Sequence, residues 1–339
     1  MKNFVLFTET DLQKLLKSRT NETKFGEHVK LLSNINNINA QISKSDVKYV
    51  LIGVSETIGI HANLGSSKAY RSFRATIKVL LNIQSNHLTQ PKNVLVLGHF
   101  KYPDFQKKLK KLDLSLKKDL AEARLMVETI DADVSQMVYN IVKAGKTPII
   151  IGGGHNNAYG NIKGTSLALN KPINAINFDA HTDFRPLEGR HSGNGFSYAM
   201  KDAFLKNYFV FGLHENYTSQ VIFETIQDNK HIAYNTYDDL ILRKNVKFKN
   251  ELKRAKQFIC DTPFGLEIDC DAIENINSSA QTPSGFSVEK TRQFISYFAK
   301  QKQVSYFHLC EASCSKKDET QVGKLLSYFI TDFIKAQND

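Results

Sequence analysis

The chain has 339 residues, of which 41% are hydrophobic and 23% are charged, and these values are ordinary for a globular protein with a sizeable core. Its formal net charge is +11, but the lysines are scattered, and the densest run, residues 107–118, has no aromatic residues that could stack on bases. We therefore predict no nucleic-acid partner. The apolar runs fall short of the roughly 18 residues that span a bilayer, so we predict no membrane partner.

Eight short apolar runs rich in β-branched and aromatic residues recur along the chain, and most are continuous rather than alternating. Such runs are typical of parallel strands that are covered on both faces. They begin at Val47, Asn93, Thr147, Ile173, Tyr208, His231, Phe264 and Val304. Segments with helical spacing lie between or after them, including residues 120–146, 287–301 and 319–337. Strands that alternate with helices predict an open, doubly wound α/β sheet.

The domain organisation is predicted to be simple. We find no internal repeat and no linker rich in Pro, Gly or Ser, so residues 46–339 are predicted to form one domain. Residues 1–45, which are polar and rich in Asn, are predicted to be an N-terminal extension that packs on its side. The N-terminal residues lack the apolar stretch of a signal peptide. Four cysteines in a chain of this length do not make a disulfide framework, so we expect reduced thiols in a cytoplasmic protein.

Polar residues follow four of the predicted strands at the point where each strand ends. They are His155, then Asp179, His181 and Asp183, then Asp269 and Asp271, and finally Glu311. Because ligands bind beyond the carboxyl ends of the strands in open α/β sheets, we expect these side chains to meet there. Two His and four Asp are too many ligands for one catalytic zinc. A carboxylate-rich set of six suits two hard divalent ions, manganese especially.

Each of these features, taken alone, has a more ordinary explanation. His155 follows a Gly-rich turn and could be a structural loop residue, although that turn lacks the Lys and Ser/Thr of a phosphate-binding loop. The pair Asp269 and Asp271 could cap a helix or lie in a solvated turn. Residues 179, 181 and 183 are harder to explain, because alternate positions of an extended chain point the same way and can converge on one site.

The motifs "GGGHN" (residues 152–156), "DAHTDFR" (179–185) and "EIDCD" (267–271) resemble, in order and spacing, the three metal motifs of the arginase–agmatinase–formimidoylglutamase (ureohydrolase) family. The resemblance covers roughly residues 48–335. It implies a single α/β domain with an eight-stranded parallel sheet, two Mn²⁺ ions per subunit and assembly into a homo-oligomer. It implies that one ion is held by His155, Asp179, Asp183 and Asp269. It implies that the other is held by Asp179, His181, Asp269 and Asp271, so that Asp179 and Asp269 bridge.

Two further motifs resemble the parts of that family that hold the substrate. "CEAS" (residues 310–313) lies where the family has Glu-Val-Asn, which implies that Glu311 grips the planar cationic head of a guanidinium or amidinium. "HSGNGF" (residues 191–196) resembles the Ser-Gly-Asn loop that holds the amino-acid end of the substrate, which implies contacts from Ser192 and Asn194. The alternative for Glu311 is an ordinary surface acid at the end of a strand.

Two loops depart from the family pattern. The Pro-Gly-Thr-Gly-Thr-Pro loop that follows the second D-x-D aspartate keeps only Thr282 and Pro283, so Thr282 is predicted to be a substrate contact. Arginases and agmatinases carry a proton-shuttling His shortly after the Ser-Gly-Asn position, where this chain has Gly195 and Phe196. Formimidoylglutamases have a Phe in that loop and "GGGH" in the first motif. The resemblance is therefore closest to formimidoylglutamases.

This resemblance implies hydrolysis of a C–N bond in a linear amidine. We predict the substrate to be N-formimidoyl-L-glutamate, which gives L-glutamate and formamide in histidine degradation. Asp183 is predicted to carry a proton to the leaving amine, and Glu311 to anchor the amidinium. Arg185 is predicted to bind a substrate carboxylate, unless it is a surface salt-bridge residue. Two alternatives stay open: a hydrolase of guanidino compounds, such as arginine or agmatine, that releases urea, and a catalytically silent metal-binding protein.

Overall fold

Within residues 2–338, which the computed structural model describes, nine strands form one sheet. They are β1 (Phe4–Leu6), β2 (Tyr49–Ser55), β3 (Val94–Lys101), β4 (Thr147–Ile151), β5 (Ile173–Phe178), β6 (Leu205–Leu213), β7 (Ile232–Thr236), β8 (Phe264–Asp269) and β9 (Val304–Cys310). The order across the sheet is β1-β3-β2-β4-β9-β8-β5-β6-β7.

Strands β2 to β9 pair in parallel, and they correspond to the eight strands expected from the sequence. The expectation of an eight-stranded parallel sheet is confirmed for these strands, but the strand count is wrong by one. The additional strand, β1, pairs antiparallel with β3 through Phe4 to Leu6. It was missed because three residues are too few to show a hydrophobic pattern.

Twelve α-helices connect or flank the strands in the part of the chain that is described. They are α1 (Glu9–Leu15), α2 (Ile38–Lys44), α3 (Ile58–Ala62), α4 (Ser72–Leu80), α5 (Pro103–Leu109), α6 (Lys117–Lys143), α7 (Asn157–Leu169), α8 (Gly195–Lys201), α9 (Gln220–Gln227), α10 (Phe248–Ile259), α11 (Val288–Ala299) and α12 (Glu319–Ala336). The three helical segments predicted from the sequence correspond to α6, α11 and α12. Ser287 caps α11 by accepting a hydrogen bond from the Lys290 N–H at 3.3 Å.

Both faces of the sheet are covered, as a parallel sheet requires. One core lies on the face packed by α4, α10, α11 and α12. The other lies on the opposite face, packed by α6, α7 and α8. Consecutive residues of a strand alternate between the two cores; Leu51 belongs to the first and Ile52 to the second. The chain therefore folds as a doubly wound α/β sheet, and the carboxyl ends of its eight parallel strands lie along one edge of the sheet, called the carboxyl edge below.

The N-terminal segment contributes to this architecture. Strand β1 extends the sheet, and Ile38 and Ile42 of α2 are buried in the same core as α6. The division of the chain at residues 45 and 46 stays a prediction. Among the described residues, no helix combines the length and the apolar character needed to cross a bilayer.

Candidate active site

The Gly-rich turn after β4 directs His155 into the carboxyl edge of the sheet. Gly152 and Gly153 have φ values of +86° and +74°, which disfavour residues with a side chain. A Cβ on Gly153 would also lie 2.7 Å from a carboxylate oxygen of Glu56. This buried carboxylate accepts hydrogen bonds from the Gly154 N–H at 3.2 Å and the Asn157 side-chain amide at 2.9 Å. Hydrogen bonds to Glu56 therefore fix the conformation of this turn, and His155 follows at the end of the turn.

His155 faces three carboxylates with one ring nitrogen. Its Nδ1 lies 3.3 Å from Asp179 Oδ2, 2.8 Å from Asp183 Oδ2 and 2.9 Å from Asp269 Oδ2. Three different strands, β4, β5 and β8, deliver these residues. His155, Asp179 and Asp269 are buried, and Asp183 is nearly so. Ligand atoms of all four residues lie within 4.8 Å of one another, which is the spacing of a group that could hold one metal ion.

A second group adjoins the first and shares its aspartates. His181 Nδ1 lies 3.5 Å from Asp179 Oδ1 and 3.8 Å from Asp271 Oδ2. Asp179 thus presents one oxygen to His155 and the other to His181. Asp269 directs Oδ2 to His155, and its Oδ1 accepts the Asp271 N–H at 2.7 Å. Asp179 therefore lies between the two histidines, and Asp269 lies between His155 and the backbone of Asp271.

The electrostatics of this cluster call for added positive charge. Burial and the neighbouring carboxylates raise the pKa of Asp269 well above its usual value. Burial and the charge on Asp179 likewise raise the pKa of Asp183. Both ring nitrogens of His155 are buried without a hydrogen-bond partner of acceptable geometry in the described part of the chain. Buried carboxylates and an unpaired imidazole suit hard divalent cations, so the residues present fit a pair of such ions.

Glu311 lies beside the cluster at the end of β9. Its Oε1 accepts the His155 N–H at 2.7 Å, whereas its Oε2 is buried and has no partner among the described residues. Burial and the charges of Asp269 and Asp271 raise the pKa of Glu311 well above its usual value. Glu311 and Asp183 also have positive φ values, +60° and +44°, which are uncommon for residues other than glycine. Such strained backbone concentrates at functional sites.

A cavity of about 530 Å³ opens over the cluster. Its lining brings together most of the residues singled out in the sequence. These are His181, Asp183, Arg185, Ser192, Asp269, Asp271 and Glu311. Tyr217, which is missing from the sequence analysis, lines the same cavity and stacks on His181 with ring centroids 5.5 Å apart. Four of the six candidate metal ligands therefore line the same cavity as the candidate substrate contacts Arg185, Ser192 and Glu311.

Arg185 reaches this cavity but is already paired. Its Nη1 donates to Asn63 Oδ1 at 2.9 Å, and its Nη2 donates to Glu188 Oε1 at 2.9 Å. The Arg185 side chain is 49% exposed. Asn63 also donates to Ser192 Oγ at 3.3 Å, so the two predicted substrate contacts are joined through Asn63. An incoming carboxylate would compete with Glu188 for the guanidinium.

Two predicted substrate contacts do not reach the cavity. Asn194 is fully buried, accepts from the His191 N–H at 3.1 Å and donates to the Gly189 carbonyl at 2.8 Å. Thr282 is buried, and its hydroxyl donates to the Ser284 carbonyl at 2.9 Å. Both side chains form hydrogen bonds within their own loops. The expectation that they touch the substrate has no support in this geometry.

Sequence reasoning also missed two buried acids next to the cluster, Glu56 and Glu267. Glu56 directly follows β2, so the rule that selected the other residues, a polar side chain at the end of a strand, would have found it. Glu267 is the first residue of the "EIDCD" motif, two residues before Asp269, and it approaches His155 Nε2 at 3.5 Å. Glu56 contacts the Gly-rich turn, and Glu267 contacts the imidazole of His155.

Comparison with known proteins agrees with this geometry. The model of the Arginase family matches residues 48–333. A formimidoylglutamase of Streptococcus pyogenes serotype M3 is 28% identical over 155 residues, which cover 43% of this chain and 47% of that protein. A formimidoylglutamase of Streptococcus pyogenes serotype M12 is 25% identical over 213 residues, or 60% of this chain and 65% of that protein. The matches thus span 47% and 65% of the lengths of these two curated relatives, which is less than two thirds of either protein.

Solved structures show the same fold. Formimidoylglutamase from Bacillus subtilis superposes with a TM-score of 0.71 and 16% identity, over 98% of this chain and 99% of that one. Formiminoglutamase from Trypanosoma cruzi, solved with Mn²⁺, superposes with a TM-score of 0.70 and 16% identity, over 93% of this chain and 99% of that one. At these identities the likeness is one of fold.

Proposed function

The chain belongs to the arginase family, and from this premise we propose that it is a manganese-dependent hydrolase that converts N-formimidoyl-L-glutamate and water to L-glutamate and formamide. The observation that carries the proposal is the buried cluster of His155 and its three facing carboxylates, placed next to the unpartnered oxygen of Glu311. The curated relatives named above as formimidoylglutamases support the choice of substrate.

The proposed metal ligands are the six residues of the two groups. One ion would be held by His155, Asp179, Asp183 and Asp269, and the other by Asp179, His181, Asp269 and Asp271. When bound, such an ion pair supplies Lewis acidity and lowers the pKa of a bound water toward neutrality.

Glu311 is proposed to bind the head of the substrate. An amidinium is planar and carries N–H donors, and a buried carboxylate oxygen without a partner is its natural acceptor. Because the N–H of His155 already occupies Glu311 Oε1 at 2.7 Å, that contact fixes the carboxylate and leaves Oε2 for the substrate. Asp183 lines the same cavity and is proposed to hold a proton and pass it to the leaving amine.

The other end of the substrate is proposed to reach Arg185. Asn63 holds the guanidinium from one side, and a substrate carboxylate would replace Glu188 on the other. A guanidinium and a carboxylate match in a bidentate fork, which favours a substrate that carries an acid group. Phe196 is fully buried and packs edge-on against His155 with centroids 5.2 Å apart.

We also propose a cytoplasmic location and assembly into a homo-oligomer. The four cysteines are unpaired in the structure, which supports a reducing compartment. Light scattering on the purified protein would measure the assembly.

The function is tested with the manganese-loaded protein on three substrates: formimidoylglutamate, arginine and agmatine. Formamide and glutamate from the first, with little urea from the others, is the expected result. Urea released rapidly from arginine or agmatine would replace the proposal with a guanidine hydrolase. Two bound ions without turnover of any substrate would indicate a catalytically silent protein.

The variant Glu311→Gln gives a sharper test of the site. It keeps the shape of the side chain but removes the charge that pairs with the amidinium, so kcat/KM should fall by about a hundredfold or more while both ions stay bound. The exposed acid Glu289 on α11 provides the matched control, since Glu289→Gln should leave activity unchanged. Parent-like kcat/KM in Glu311→Gln would remove this residue from the proposed site.

A further inference from the structure

A row of buried polar residues lies beneath the candidate metal ligands. Asn177 of β5, Glu267 of β8 and His308 of β9 are neighbours in register across three adjacent strands. All three are fully buried. Each lies two residues before a residue at or next to the end of its strand. These residues are Asp179 for Asn177, Asp269 for Glu267 and Cys310 for His308. Buried polar side chains at this level demand partners, and the nearest partners include the cluster above.

Glu267 is the centre of this row. Its Oε1 accepts a hydrogen bond from the Tyr306 hydroxyl at 2.6 Å. Its Oε2 lies 2.5 Å from His308 Nδ1 and 3.5 Å from His155 Nε2. Tyr306 fits only because β8 has Gly265 opposite it, where a Cβ would lie 2.2 Å from the Tyr306 hydroxyl oxygen. The local sequence is therefore built to hold this carboxylate in place.

We propose that Glu267 is a positioning residue that keeps the hydrogen of the neutral His155 ring on Nε2, so that the Nδ1 lone pair points at the cation site. The inference rests on the proposed function, because it takes His155 as a metal ligand. Glu267 itself touches neither of the proposed ions nor the substrate. It acts through the orientation and the tautomer of the imidazole, as acids behind metal-bound histidines do.

The need for such a residue follows from the other side of the ring. His155 Nδ1 faces oxygens of Asp179, Asp183 and Asp269 at 2.8–3.3 Å. Without a competing acceptor, those oxygens would draw the ring hydrogen to Nδ1, where it would occupy the direction that a cation needs. A carboxylate oxygen accepts but does not donate, so Glu267 favours the hydrogen on Nε2.

The distance is compatible with this role. The 3.5 Å between His155 Nε2 and Glu267 Oε2 is a contact rather than a hydrogen bond. A closer approach by about half an ångström would make it one. His308 and Tyr306 fix the acid from the opposite side, so the approach requires movement of His155 alone.

The first experiment compares metal binding in the parent and in Glu267→Gln by titration calorimetry and elemental analysis. Glutamine can turn its NH₂ group toward His155 Nε2, which favours the hydrogen on Nδ1. We expect the parent to bind two Mn²⁺ and the variant to bind one of them about 10- to 100-fold more weakly.

The second experiment measures the tautomer directly. Nitrogen-15 NMR of the histidine rings in the metal-free protein, at an alkaline pH where the ring is neutral, should show His155 with its hydrogen on Nε2. This measurement needs no variant, so it decides the question even if Glu267→Gln fails to fold. A parent His155 with its hydrogen on Nδ1 overturns the inference.

Tyr306→Phe is the matched control. It removes one hydrogen bond from Glu267 without changing the oxygen that faces His155. It should lower the melting temperature but leave manganese affinity within about twofold of the parent. Equal losses of affinity in both variants would mean that Glu267 only stabilises the fold, and parent-like affinity in Glu267→Gln would also overturn the inference. A parent that binds no manganese refutes the proposed function instead, and the tautomer measurement still tests Glu267.

Discussion

Replacement of Glu56 by Gln is expected to destabilise the protein and to weaken the His155 group together. Glu56 is fully buried and accepts five hydrogen bonds. Its Oε2 accepts the backbone N–H groups of Ile58 at 2.6 Å and Gly59 at 3.3 Å. Its Oε1 accepts the Gly154 N–H and the side-chain amides of residues 156 and 157. Glutamine has one acceptor oxygen, so at least two of these donors would face an NH₂ group.

The size of the effect follows from the contacts. Two hydrogen bonds to a charged acceptor contribute about 3–6 kcal/mol. Part of this is offset, because burial raises the pKa of Glu56 despite its hydrogen bonds, which shows that the charge is incompletely compensated. We therefore expect a net loss of about 2–4 kcal/mol in the free energy of unfolding. The melting temperature should fall by roughly 3–6 °C.

Thermal unfolding of the metal-free protein, followed by circular dichroism, measures the change in melting temperature. Elemental analysis measures the amount of bound manganese. The manganese content of Glu56→Gln should fall below two ions, since Gly154 and His155 lose their support. Glu289→Gln, at an exposed position, controls for the chemical change. A melting temperature within about one degree of the parent, with both ions retained, would refute the reasoning.

The remaining predictions concern the ligands, the substrate and an acid-sensitive histidine. Asp269→Ala should release both ions and His155→Ala mainly one, as counted by elemental analysis; two ions retained in Asp269→Ala would contradict the bridging role. Arg185→Lys should raise KM for formimidoylglutamate about tenfold with little change in kcat, because Lys lacks the bidentate fork; neutrality on all substrates would make Arg185 a surface residue. Burial, aided by Lys101, lowers the pKa of His99 from 6.5 to about 4, so the unfolded chain takes up the proton first and the parent should lose stability as pH falls from about 6.5 to 4. His99→Phe should remove part of this loss in melting curves, and an unchanged pH profile would contradict it.

The eight parallel strands could be predicted because most of them are continuous apolar runs, which can be recognised without knowledge of the strands they pair with. Strand β1 could not, because its three residues pair with β3 about 90 positions away and only that pairing makes them a strand. The meeting of the six candidate ligands was predictable for a related reason. Each follows a recognisable strand, and parallel strands bring their ends to one edge whatever the loops between them do.

The contacts of the acids behind the candidate ligands were not predictable in the same way, although Glu56 follows a strand just as those ligands do. Glu56 binds Asn157, which is 101 positions away, and Glu267 binds His308, which is 41 positions away. In a sequence, an acid with such a partner looks identical to an exposed one. The loop residue Asn194, whose contact with the substrate stays a prediction, shows the opposite case. An Asn side chain is a reasonable substrate contact, but this one accepts a hydrogen bond from the buried Arg190 and donates to the Gly189 carbonyl within its own loop.

The antiparallel strand at the end of the sheet has a consequence for solubility. Without β1, the backbone N–H and C=O groups along one side of β3 would form an open edge that can pair with another molecule. Gly98 of β3 allows β1 to come close, since a Cβ there would lie 2.1 Å from the Val5 carbonyl oxygen. A larger residue at Gly98 would displace β1 from the edge of the sheet. The resulting defect would appear as strand-to-strand aggregation in a protein whose candidate metal site, several strands away, is intact.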